Sequence, residues 1–144
     1  MNVTSDDILA YNTNLDNLMI SLKEKNKINS AICLANMYSL IPKYTNEISS
    51  DTTKSKLENV KSNIIFAYSI VETDRWDDIL KLLGQAETDL TELMTMKENL
   101  STMRKPKINK AYVLLKELIK SSNDKNVDIF YLKYINLIEE LDNL

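Results

Sequence analysis

Apolar residues at Ile8, Tyr11, Leu15, Leu18 and Leu22 recur at alternating three- and four-residue spacing, the mark of one helical face, and predict the first element. Thr4 or Ser5 supplies its N-cap, and Asp6 and Asp7 stand in the first turn, where carboxylates complement the helix dipole. The polar run 23–27 ends the stripe. A second helix follows through Ile28, Ala31, Ile32, Ala35, Tyr38 and Ile41, and Cys33, Leu34 and Met37 widen its apolar face, so burial on more than one side is expected. Pro42 lacks the helical donor and clashes with the turn before it, so this helix either stops at Leu40 or Ile41 or kinks and runs on towards Ile48.

Beyond a polar connector from Ser49 to Thr52, the spacing returns at Leu57, Val60, Ile64, Ala67 and Val71, with Ile65 and Phe66 alongside, and predicts a third helix. Thr73 and Asp74 read as the N-cap pair of a fourth, striped by Trp76, Ile79, Leu83, Ala86, Leu90, Leu93 and Leu100. After a break at 101–105, Pro106 suits the first turn of a fifth helix, whose face is Ile108, Ala111, Leu115, Leu118 and Ile119. The turn 121–126 precedes a sixth through Ile129, Leu132, Ile135, Ile138 and Leu141. The expected fold is therefore all-α: an antiparallel helical bundle of up to six helical segments in three αα-hairpins, a single all-helical domain over residues 1–144. A short helical-repeat solenoid is the alternative. The strict stripes of the first and third helices also permit self-association.

The turns near Lys25, Asp74 and Asp124 recur about every fifty residues. Shifting the chain by about 100 residues lays Lys25-Asn26 on Lys125-Asn126, Ile32 on Leu132, Ala35 on Ile135, Asn36 on Asn136 and Ile41 on Leu141. An internal duplication and a shared hydrophobic period both account for those matches.

Composition narrows the chemistry. Glycine occurs once, at Gly84, and proline only at Pro42 and Pro106, so hairpin turns of sheets and phosphate-cradling loops lack their punctuation. There is no histidine, which removes the commonest general base and transition-metal ligand. A net charge of −3 gives no electrostatic footprint for nucleic acid. The densest basic group, Arg104, Lys105, Lys107 and Lys110, reads as a solvated loop and helix start, with contact to anionic lipid as the other reading. Asp74, Asp77 and Asp78 around Trp76, or Glu87 with Asp89 and Glu92, could in form bind a hard cation, but such acids read first as dipole-complementing turns and solvated faces. Cys33, inside an apolar helical stretch, reads as a small buried hydrophobe. Trp76 reads as the anchor of its hairpin, with an exposed recognition role as the alternative. The tyrosines Tyr11, Tyr38, Tyr44, Tyr68, Tyr112, Tyr131 and Tyr134 fall mostly at stripe edges, with rings buried and hydroxyls wet.

No catalytic residue, metal ligand or cofactor site is expected, and the chain is expected not to be an enzyme. No apolar stretch is long enough to span a membrane. Abundant Asn and Lys beside only two arginines, Arg75 and Arg104, suggest the codon bias of a low-GC Gram-positive bacterium.

The run Val71-Glu72-Thr73-Asp74-Arg75-Trp76 followed by Leu80, Leu83 and Ala86, and the run 123–126 followed by Leu137-Ile138-Glu139-Glu140-Leu141, resemble small helical extracytoplasmic lipoproteins of clostridia and relatives. The resemblance covers the second half of the chain. It implies architecture and location rather than chemistry: the mature part of a cell-surface lipoprotein, attached outside the cell. Cys33 follows Ile32 within a helix and is no lipobox cysteine, so on this reading a leader and its lipid anchor lie upstream. The expected function is a non-enzymatic interaction or structural domain whose partner is an unidentified protein or a second copy. The alternatives are a bundle that binds a small molecule, with Trp76 or the tyrosines at the mouth, and a cytoplasmic helical adaptor.

Overall fold

The computed structural model describes residues 4–43, 52–96 and 101–144. The described residues are helical apart from short turns and contain no strand, so the all-α expectation holds. The helices are α1 (Ser5–Lys23), α2 (Lys27–Tyr38), α3 (Thr52–Ser69), α4 (Trp76–Thr95), α5 (Arg104–Asn123) and α6 (Val127–Asp142), with a 3-10 turn at Val71–Thr73. Short connectors fold them into the hairpins α1–α2, α3–α4 and α5–α6. Helices α3, α4, α5 and α6 pack in sequence, and α6 returns against α3, which closes a four-helix ring. The α1–α2 hairpin lies outside the ring and joins it by packing α2 on α3. Closure of the ring makes this a bundle with an appended hairpin rather than an open solenoid.

The main core belongs to the ring. Val60, Ile64 and Ala67 of α3, Ile79, Leu83, Ala86 and Leu90 of α4, Ala111, Leu115 and Leu118 of α5, and Phe130, Leu137 and Leu141 of α6 are fully covered. In α3, α4 and α5 the buried apolar positions fall on the stripes expected from spacing, with Ile119 of the expected face only half-buried. Trp76 is buried too, and its Nε1 donates to the Asp74 carboxylate at 2.8 Å, which satisfies the one polar atom an indole must not lose. Leu100, the course of the chain from residue 44 to 48, Tyr44 with it, and the connector at 49–51 lie outside the described residues.

Four expectations need correction. The N-cap position of α4 is Arg75, with no side-chain cap; Asp74 adopts the left-handed conformation and serves Trp76, while the Thr73 hydroxyl donates to the Ile70 carbonyl. Helix α2 ends at Tyr38, ahead of Pro42, which sits in a separate helical turn at 40–43. In α6 the buried face is Phe130, Leu137 and Leu141, and Ile129, Leu132 and Ile135 of the expected stripe face solvent. In α1 the face against α2 carries Asp7, Leu18 and Ser21, one step around the helix from the expected stripe. Ile8, Tyr11 and Leu22 consequently remain exposed, and so does Leu34 of α2.

The turns that close the first and last hairpins are conformational copies. Lys25 and Lys125 both adopt positive φ, at 55° and 52°. The N–H of Asn26 bonds the Ser21 carbonyl and that of Lys25 the Leu22 carbonyl, and Asn126 and Lys125 repeat both bonds to Ser121 and Ser122. This is the Schellman arrangement. The residue after each lysine then opens the next helix, Asn26 accepting from the N–H of Asn29 and Asn126 from that of Ile129. The turn repeats while the packing does not: Ala35 is buried where Ile135 is exposed, and Ile41 is exposed where Leu141 is buried. A β-carbon at positive φ carries a steric cost, so Lys125→Gly is expected to stabilise the protein by about 1 kcal/mol in urea unfolding, and a loss of stability would contradict the turn.

Asp7 ties the start of α1 to the end of the second hairpin arm. It completes a capping box with Thr4 and accepts from the Lys43 ammonium at 2.6 Å. The Lys43 ammonium, then the Thr4 backbone N–H and hydroxyl, hold its carboxyl at about 2, below the ordinary 3.8. A folded-state pKa depressed in this way stabilises the fold fully above about pH 4 and loses that contribution as pH falls towards about 2. Thermal melts across that range should show wild type losing more stability than Asp7→Asn; parallel losses would contradict the contact.

Candidate functional site

The apolar residues that the hairpin leaves uncovered are not scattered. Leu22 at the end of α1, Ala31 and Leu34 of α2, Ile65 and Tyr68 of α3, and Tyr134 of α6 line one open groove of about 500 Å³. It runs across the junction of the appended hairpin with the ring. Its position follows from the packing: Ala35 and Cys33 of α2 are buried, which leaves Leu34 between them outward at 53% exposure.

The far wall is rigid. Tyr68 and Tyr134 stack with ring centroids 4.4 Å apart, Tyr134 lies parallel to Phe130 at 6.5 Å, and Phe130 meets Trp76 edge-on at 6.5 Å. An aromatic series therefore connects the groove wall to the centre of the core, and such pairs add to the stability that burial alone provides. Trp76 itself is not at the mouth; the tyrosines at the groove are Tyr68 and Tyr134.

Burial first, then the electrostatic influence of Tyr68 and Asp142, pushes the Tyr134 hydroxyl up to about 12, so Tyr134 stays neutral at physiological pH. At one end, Tyr131 donates to Glu72, and Lys27 bonds the same carboxylate at 3.2 Å. Those two donors, Tyr131 first, lower the Glu72 pKa, and burial followed by the Glu72 contact raises that of Tyr131. Lys25 and Lys27 stand on the rim. The polar groups there are engaged locally: the Ser30 hydroxyl donates to the Asn26 carbonyl, and Asn26 caps α2.

Most of the acidic residues weighed as cation ligands have other partners. Asp78 accepts from Arg75, and Glu87 accepts from the Tyr112 hydroxyl and Lys116, which lower its pKa with Lys116 first. Among the described residues no three His, Cys, Asp or Glu side chains converge as a metal site. Of the basic group, Lys107 donates to the Asn143 carbonyl and Lys110 pairs with Glu140. No described helix is long and apolar enough to cross a membrane.

Sequence reasoning named no site, and it missed this one for a physical reason. The groove draws on four helices and on residues from Leu22 to Tyr134, and the local spacing counted Leu22 and Leu34 among buried faces. The one available signal was the excess of apolar positions in α2 beyond a single stripe. No protein-family model, no curated protein and no solved structure matches this chain.

Proposed function

We propose that this chain is a non-enzymatic interaction domain whose groove receives an apolar helical segment of a protein partner. The observation that carries the reading is the open apolar groove between the α1–α2 hairpin and the ring, with Leu34 outward at its floor. An amphipathic helix seats its apolar side chains in such a channel. Lys25 on the rim favours a segment with an acidic residue beside its apolar anchors, while Lys27 is held by Glu72. A small molecule would need several converging polar groups to fix its orientation, and here the Ser30 hydroxyl donates to the Asn26 carbonyl while the Asn26 side chain caps α2. The lack of histidine, the commonest general base, supports a role in binding rather than catalysis.

The resemblance to clostridial extracytoplasmic lipoproteins supports a location on the outer face of a low-GC Gram-positive cell, as the mature part of a lipid-anchored protein. The coding sequence upstream tests it: an apolar leader ending in a small-residue–cysteine junction is expected, and a leaderless start would favour a cytoplasmic adaptor. For the groove, Leu34→Glu is expected to weaken partner binding at least tenfold, and Leu132→Glu, on the solvent face of α6, to leave it unchanged. Equal effects would contradict the site.

A further inference from the structure

The ring and the appended hairpin, whose meeting forms the groove, share almost no core. Among the described residues the buried apolar cluster runs from Leu57 to Leu141, and Ile32, itself half-buried, is the one hairpin side chain packed against it. The hairpin's own buried apolar residues are only Leu18, Cys33 and Ala35. The joint is also loosely filled, with a void of about 20 Å³ bordered by Ile28 and Ala31 of α2 and by Tyr68 and Ser69 of α3. Segments held by few buried apolar contacts open at lower free energy than the core of the same protein.

Polar ties stand at the two ends of the joint. Tyr38, closing α2, donates to Glu58 of α3 at 2.8 Å, and Lys27, opening α2, donates to Glu72 at 3.2 Å. Both acceptors have further partners inside the ring. Glu58 lies 3.7 Å from the Lys61 ammonium, which also pairs with Asp142 at 3.0 Å, and Glu72 accepts from Tyr131. On the hairpin side Asp7 has Lys43. Parting the two bodies therefore leaves none of these carboxylates without a partner, the condition that makes most buried ion contacts costly to break.

We infer that the α1–α2 hairpin is a detachable jaw of the groove: it undocks from the ring as one unit while the ring stays folded, and each undocking takes Leu22, Ala31 and Leu34 away from the wall made by Ile65, Tyr68 and Tyr134. A segment seated against both walls holds the jaw closed, because a ligand that binds only the docked form shifts the equilibrium towards it. That control of binding rests on the proposed partner site; the undocking does not.

Hydrogen exchange of the full native chain, read amide by amide by NMR, tests it. The best-protected amides of α1 and α2 are expected to exchange through one shared opening, at least about a hundredfold less protected than those of α4. Tyr38→Phe should speed exchange in α1 and α2 by about threefold or more and leave α4 as it is. Tyr112→Phe, which removes the same kind of bond to Glu87 within the ring, should not speed the hairpin. Equal protection of hairpin and ring, α2 exchanging with the ring rather than with α1, or a Tyr38→Phe hairpin that exchanges no faster would each overturn the inference. Leu34→Glu, at an exposed position, should leave the exchange pattern unchanged, so failure of the groove and failure of the jaw are read separately.

Discussion

Replacing Phe130 by alanine is expected to cost about 3–5 kcal/mol of folding stability, the range for emptying an aromatic site in a closed core. Phe130 has no solvent exposure and lies between Trp76, Tyr131 and Tyr134. Its loss removes transfer energy and leaves a void beside Trp76 and Tyr134. Urea unfolding followed by the fluorescence of Trp76, the single tryptophan, reads the change. The substitution should also loosen Tyr134, which stacks on both Phe130 and Tyr68, so the groove wall is softened from behind. A cost below about 1 kcal/mol would mean that Phe130 is not at the centre of the ring.

The second large effect tests the rotation of α6. Leu137→Ala is expected to cost about 2–5 kcal/mol, because Leu137 is fully covered, while Leu132→Ala, at 59% exposure, should stay within about 0.5 kcal/mol. Spacing alone favours the reverse, since Leu132 lies in the expected stripe and Leu137 does not. Finding Leu132 the costlier of the two would restore the sequence reading and contradict the packing.

Where the apolar residues of a helix are confined to one face, local periodicity was enough. Trp76, Ile79, Leu83, Ala86, Leu90 and Leu93 of α4 face polar positions such as Lys81, Gln85 and Glu92 across the helix, so only one rotation buries the stripe. Helix α6 is different. Ile129, Phe130, Tyr131, Leu132, Tyr134, Ile135, Leu137, Ile138 and Leu141 surround it, and no single-helix pattern chooses among its faces; packing against α3 and α5 chooses. Helix α1 carries a clear stripe, yet α2 takes the neighbouring face, anchored by the Asp7–Lys43 pair and buried Ser21. That mismatch is non-local and invisible from α1 alone.

The turns were legible as turns but not in their geometry. Three positive-φ residues, Lys25, Asp74 and Lys125, occupy positions where glycine would have announced a Schellman end or a sharp bend. The groove was not legible at all. It exists because the appended hairpin meets a closed ring whose own apolar requirement is already met, which leaves Leu22, Ala31 and Leu34 facing Tyr68 and Tyr134 across open space.

The central claim, that this groove receives a protein segment, is tested most directly by a photo-reactive amino acid in place of Leu34, activated in the native cells and followed by the mass of the adduct. The account predicts one discrete adduct of protein mass, absent when the same probe replaces Leu132 on α6. No adduct from position 34, an adduct no larger than a small molecule, or the same adducts from both positions would contradict it.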